Sequence, residues 1–138
     1  MARRQTQDLV HGELTSSIIG AMYEVFQELG YGYREYIYAL ALEQVLTAKG
    51  HRVRREVGAL VYFRGKPLAK QVFDMVVNDT VIVEIKSTER LPENSTSQLF
   101  SYLCATKFEV GLVLHFGREA RAHRVVFENR LKTGSRPF

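Results

Sequence analysis

The 138-residue sequence predicts a single α/β domain, a three-layer sandwich with a central mixed β-sheet flanked by helices. The expected order is α-α-β-β-β-β-α-β, with one more strand at the end. Three observations predict it. Two stretches with apolar residues at helical spacing open the chain. Two β-branched runs, Val72–Val77 and Val81–Ile85, flank Asn78-Asp79-Thr80 and read as a β-hairpin. A third helical stretch then separates this hairpin from the apolar run Val110–Phe116. A crossover helix at that point makes the strands on either side of it parallel, with a right-handed connection.

Each element has a local reason. In the first helix, from about Glu13 to Leu29, the residues Ile18, Met22, Val25, Phe26 and Leu29 form one stripe that Gly30 ends. Gly30 and Gly32 supply a turn, and a second helix runs from about Arg34 to Lys49, closed by Gly50. Tyr38, Leu42 and Val45 share a face of it, and Glu35 lies near its start, where a carboxylate gains from the helix dipole. Residues 51–70 read as strand material, broken near Gly58 and turned at Arg64-Gly65-Lys66, with Pro67 marking a strand boundary. Arg90–Glu93 is a loop, and Asn94 or Ser95 can cap the third helix, which ends near Thr106. Val110–Phe116 is apolar enough for a strand covered on both faces. Arg121–Phe127 is a further strand, and the tail from Thr133 to Phe138 has a disordered composition.

Composition excludes several classes. No run of eighteen apolar residues is present, so no helix is expected to span a membrane, and the N-terminal MARRQTQDLVHGE lacks a secretory signal. The lone cysteine, Cys104, suits a reducing cytoplasm and sits where a small core residue is expected. His11, His51, His115 and His123 have no zinc-ligand spacing. No phosphate-cradling P-loop or nucleophile motif occurs, and Gly30-Tyr31-Gly32 lacks the preceding strand of a dinucleotide fingerprint. The net charge of +4 is unevenly spread. Residues 51–70 carry six Lys/Arg against one Glu, residues 118–138 six against two, and the rest of the chain is acidic. Basic segments flanking an acidic centre suit a metal site that acts on a polyanion.

The acidic centre lies in the hairpin. A three-residue loop at 78–80 pairs Val77 with Val81 and sets Asp74 opposite Glu84. Alternation along the second strand then puts Glu84 and Lys86 on one face, with Val83 and Ile85 on the other. Val72, Val76 and Ile82 share the charged face, so these charges are expected to be enclosed rather than solvated. Enclosed charges cost several kcal/mol unless compensated, and a divalent cation would compensate them.

Asp74, then Glu84-Ile85-Lys86 ten residues on, then a helix bearing Gln98 and Tyr102, together resemble the PD-(D/E)xK nuclease superfamily. The segment Gly32-Tyr33-Arg34-Glu35-Tyr36-Ile37-Tyr38 is similar to the motif that names its GxxExxY protein family. The resemblance covers about residues 10–130 and implies a restriction-endonuclease-like fold. It departs from the pattern at Phe73, where many members have proline. The resemblance implies that Asp74 and Glu84 bind Mg²⁺ or Mn²⁺, with the Ile85 carbonyl and Glu35 completing the site. It further implies that Lys86 activates water and neutralises phosphate, and that Gln98 positions substrate. Oxygen ligands are what those hard cations prefer. Arg52, Arg54, Arg55, Lys66, Lys70 and Tyr102 are the expected nucleic-acid contacts.

The expectation is therefore a metal-dependent nuclease acting on DNA. The alternative is a binding module, for nucleic acid or a protein partner, that keeps the fold without turnover. A homodimer or a partner in a repair or defence assembly would supply specificity that so short a chain has little room to encode.

Overall fold

The structure, a computed structural model, describes residues 9–132. The N-terminal octet and the tail from Thr133 lie outside the described residues. Helix α1 spans Gly12–Leu29 and α2 spans Glu35–Ala48. Strands β1 (Val53–Phe63), β2 (Lys66–Val77) and β3 (Val81–Lys86) follow, then helix α3 (Ser95–Ala105). Strands β4 (Val110–Phe116) and β5 (Ala120–Val126) and a short 3₁₀ turn at Asn129–Leu131 complete the chain.

The five strands lie in sequence order, β1-β2-β3-β4-β5. All neighbours are antiparallel except β3 and β4, which the α3 crossover makes parallel. The mixed sheet and its covering helices are thus as the sequence predicts. In detail, three strands rather than four precede α3, because the chain runs unbroken from the Arg64-Gly65 turn to Val77. Arg64 (φ 50°) and Gly65 (φ 75°) are both left-handed, as a tight two-residue hairpin requires. Asn78 and Asp79, both at φ 53°, make the β2–β3 turn, and Asn and Asp are the non-glycine residues that best tolerate that region.

Two cores sandwich the sheet. On one face, Ile18, Met22 and Val25 of α1 and Tyr38, Leu42 and Leu46 of α2 pack on Met75, Val83, Ile85, Leu112 and Leu114. On the other, Leu99 and Leu103 of α3 and Phe108 pack on Phe73, Val76, Ile82 and Val113. Every residue of β4 is buried, as expected of a strand covered on both sides. Two local expectations fail. Asn94 occupies the N-cap of α3 without a side-chain capping bond, and the Ser95 hydroxyl donates to the Pro92 carbonyl instead. Cys104 is half-buried, on the flank of α3, rather than in the core. No described helix is long and apolar enough to cross a membrane.

Gly111 sets the spacing of α3 from the sheet. A Cβ there would lie 2.8–2.9 Å from the Leu99 side chain, well inside contact distance. Gly111→Ala should therefore push α3 off β4 and destabilise the fold by about 1–3 kcal/mol, the usual cost of overpacking. Urea unfolding of the two proteins measures this, and an unchanged midpoint would mean that α3 is free to move.

Candidate active site

The hairpin register is as expected: Val77 pairs with Val81, Val76 with Ile82 and Met75 with Val83. There the β2–β3 ladder stops, and the next two residues are Asp74 and Glu84. Their side chains take over the backbone bonding. The Asp74 amide donates to Glu84 Oε1 (3.3 Å), and the Ile85 amide donates to Asp74 Oδ2 (2.7 Å). The two carboxylates thus seal a fork at which β2 leaves β3 and continues paired to β1 alone.

The same point is irregular on the other side of β2. In the β1–β2 register, Arg55 pairs with Met75 and Val57 with Phe73, while Glu56, opposite Asp74, is skipped and sits at φ 55°. A left-handed non-glycine residue costs of order 1 kcal/mol or more and tends to mark functional sites. Both strands change phase here. Met75 and Val53 face α1 and α2, whereas Phe73 and Val57, also odd-numbered, face α3. This corrects the expectation that Val72 shares an enclosed face with the charges. Val76 and Ile82 are fully buried, but Val72 is 50% exposed, because strict alternation fails at Asp74. For the same reason the carboxylates meet in the fork rather than on a flat face.

Asp74 shares a cavity of about 180 Å³ with Ile85, Glu35, Tyr36, Ala39, Arg55 and Glu56. Glu35 is the first residue of α2, and its Oε2 accepts the Ser87 amide at 3.4 Å. It arrives there through the preceding loop. The buried Tyr38 ring stacks on Phe116 with centroids 4.1 Å apart. Its hydroxyl donates to the Gly30 carbonyl at 2.5 Å and accepts from the Tyr33 amide at 3.4 Å. The Ser87 hydroxyl also donates to the Tyr33 carbonyl. Gly32, at φ 111°, supplies a bend that a side chain would resist. The spacing Gly32…Glu35…Tyr38 therefore has a physical reason: bend, acid and anchor.

Burial pushes the Glu84 carboxyl up to about 8, and the adjacent charge of Asp74 pushes the same way. The Asp74 amide and the Lys86 charge oppose that rise, while Glu35 adds to it. Asp74 is also raised, chiefly by burial, against the pull of the Ile85 amide and Lys86. Lys86 is half-buried beside them and, among the described residues, makes no ion pair within 4 Å. Tyr102 of α3 lies against Phe73, and burial with the Glu84 charge raises its hydroxyl. Gln98, one turn before Tyr102, is exposed. The donors near the fork are all oxygens, which fits a hard divalent cation. Among the described residues, no group of three or more His, Cys, Asp or Glu side chains is already gathered as a metal cage. Asp74 and Glu84 would be the side-chain ligands, each with one carboxylate oxygen outside the bonds that seal the fork.

The basic residues are dispersed. Arg52 and Arg54 pair with Asp79 at the hairpin turn (3.6 and 2.7 Å), Arg55 pairs with Glu43 (3.1 Å), and Lys66 and Lys70 lie exposed on the distal ribbon. Only Arg55 of this set lines the Asp74 cavity. Glu56, Tyr36 and Ser87 belong to the site but escape sequence inspection. Nothing in the run Arg54-Arg55-Glu56 signals a left-handed residue, and Ser87 acts through its backbone and a long-range contact.

A second constellation has the look of a nucleophilic triad. Ser17 Oγ lies 2.8 Å from His51 Nε2, and Asn78 Nδ2 lies 3.0 Å from His51 Nδ1. The Arg52 amide donates to Asn78 Oδ1 (2.7 Å), which turns the Asn78 NH₂ toward His51. Nδ1 must then accept, so Nε2 carries the proton and donates to Ser17. A base that is already protonated toward the serine cannot activate it, and the network pins α1 to the hairpin turn. The larger cleft beside it, about 630 Å³, has Glu13 as its one carboxylate among the described residues.

The family model of the PD-(D/E)XK nuclease superfamily matches residues 12–126, and the chain belongs to that superfamily. A solved crystal structure, that of SSO0001, is similar in fold, with a TM-score of 0.52 at 21% identity. The match covers 67% of this chain, which spans about half (49%) of that one. No curated protein matches the chain.

The raised carboxylates give stability a predicted pH dependence in the absence of metal. Between about pH 5 and 8, Glu84 keeps its proton when folded and loses it when unfolded, so stability falls as pH rises through that window. Glu84→Gln should flatten this slope and stabilise the protein above pH 8 by on the order of a few kcal/mol. Urea unfolding across that pH range in chelator is the check. A wild-type slope of the opposite sign would mean that Glu84 is not desolvated.

Proposed function

We propose that this protein is a metal-dependent nuclease of the GxxExxY type that hydrolyses phosphodiester bonds, with DNA as its substrate. The observation that carries this reading is the Asp74–Glu84 pair, two carboxylates forced together at the fork and both raised by burial, with the Asp74 charge raising Glu84 further. A purely structural hairpin has no need of such a pair, and a divalent cation relieves it. Asp74 and Glu84 would hold Mg²⁺ or Mn²⁺, with the Ile85 carbonyl and Glu35 assisting. When bound, the ion supplies an acidified water and charge neutralisation at the phosphate.

The chain's own groups do the rest. Lys86 places a compact positive charge beside the carboxylates, where negative charge develops on the phosphate. The Ile85 amide holds Asp74 in orientation, and the Ser87 amide does the same for Glu35. Gln98 and Tyr102, on the side of α3 that bears on Glu84, would contact substrate. Arg55 lies nearest to guide the phosphate backbone. The second reading, a non-catalytic nucleic-acid or partner-binding module, draws on one observation: the described residues hold no preassembled three-ligand cage.

Lys86→Ala separates the two. In the nuclease, metal affinity should stay level or rise slightly, while cleavage falls by roughly two to four orders of magnitude, as for loss of one positioned catalytic group. Asp74→Asn should weaken Mn²⁺ binding measured by calorimetry. The assay is cleavage of plasmid, linear and single-stranded DNA and of RNA, with and without Mn²⁺, by wild type and variants purified side by side. Equal cleavage by wild type and Lys86→Ala would point to a contaminant and sink the catalytic claim. Absence of any metal-dependent cleavage would favour the binding module.

A further inference from the structure

The loop before α2, together with the first turn of α2 that carries Glu35, presents three largely exposed tyrosines. Tyr31, Tyr33 and Tyr36 are 43%, 46% and 59% exposed, whereas Tyr38 of the same segment is completely buried. Tyr33 and Tyr36 border the carboxylate site, and Tyr31 stands two residues before Tyr33 in the same segment. Tyr36 lines the cavity with Glu35 and Asp74. Tyr33 is tied through its carbonyl to Ser87, the residue after Lys86. Tyr31 lies under the Arg118 guanidinium, 5.6 Å from the ring centroid.

These rings are presented rigidly. Gly30 (φ 73°) and Gly32 (φ 111°) turn the backbone, and the Tyr38 hydroxyl and Ser87 hydroxyl fasten it from beneath. A tyrosine ring on a fastened backbone loses little freedom when something stacks on it, since only two torsions remain. Exposed aromatic faces interleaved with guanidinium groups, here Arg34 and Arg118, suit a ligand that offers flat rings and phosphates together. The bases of a duplex are stacked on one another and cannot offer their faces to these rings, whereas those of an unpaired strand can.

We propose that Tyr31, Tyr33 and Tyr36 form a stacking platform for unpaired bases of a nucleic-acid strand whose backbone runs to the Glu35–Asp74 cavity, so that the substrate is single-stranded at the site. The proposal rests on nucleic acid being the ligand of this site, as above. It extends that reading by naming the substrate class and the residues that select it.

The test uses binding, not cleavage. The full chain, in chelator, is titrated by fluorescence anisotropy into four labelled oligomers of one length: oligothymidylate, oligouridylate, an abasic phosphodiester and a duplex. Wild type should bind the thymidylate or uridylate oligomer at least tenfold more tightly than the abasic one and more tightly than the duplex. The thymidylate and uridylate arms show which sugar is preferred. Tyr36→Ala should remove about five- to a hundredfold of the base-dependent affinity. The triple alanine variant should bring base-bearing and abasic oligomers level, with abasic binding unchanged. Tyr36→Phe, which keeps the ring, should bind like wild type. So should Tyr23→Ala, which removes an equally exposed tyrosine from α1. Equal wild-type affinity for base-bearing and abasic oligomers overturns the proposal, as does tighter binding of the duplex or binding of no oligomer. Cleavage without base-dependent binding would refute the platform and leave the nuclease standing. Base-dependent binding without cleavage would do the reverse.

Discussion

The structure depends on how the chain completes the sheet where β2 and β3 part. A parting pair of strands leaves amides that must bond to something. Here the acceptors are the carboxylates of Asp74 and Glu84, each taking an amide from the opposite strand. The arrangement stabilises the fork and fixes the carboxylates, while it forces two acids into a half-buried space. Amide bonds alone do not neutralise them, as the upward shift of both shows. The site is thus strained electrostatically by the same contacts that order it.

The phase change at Glu56 and Asp74 follows from this fork. Below it, β2 belongs to a doubly covered sheet and every side chain from Met75 to Val77 is buried. Beyond it, β1 and β2 continue as a two-stranded ribbon, and Leu60, Phe63, Leu68 and Val72 are exposed. The left-handed Glu56 lets the ribbon turn its other face to α3, so that Val57 and Ala59 reach the second core. Strain at one residue therefore joins two packing regimes.

Charge is arranged with the same economy. Much of the basic surface is engaged in exposed ion pairs, Arg54 with Asp79, Arg55 with Glu43 and Arg118 with Glu89. Such pairs contribute at most about 1 kcal/mol, so they tether cations in place without preventing exchange for a phosphate. Lys86 differs: among the described residues it makes no contact ion pair, and its charge acts on the two carboxylates of the fork.

Local sequence signals specify the helices, the hairpin and its register. Apolar spacing in residues 13–29 and the β-branched runs around Asn78-Asp79 are local signals, and a three-residue turn leaves Asp74 and Glu84 one possible pairing. Glu84-Ile85-Lys86 and Gly32…Glu35…Tyr38 were legible because the candidate residues of each motif lie within a few positions of one another. Tertiary structure decided what alternation and propensity do not encode. Whether Val72 is buried depends on a backbone irregularity at Glu56, and no side-chain pattern announces that. Glu35 joins Asp74 only because Tyr38 anchors on Phe116 and Ser87 holds Tyr33, contacts between residues 50 to 80 positions apart. Likewise, the sequence shows seven tyrosines, but only packing separates the buried anchor Tyr38 from its neighbours Tyr31, Tyr33 and Tyr36, which are left exposed.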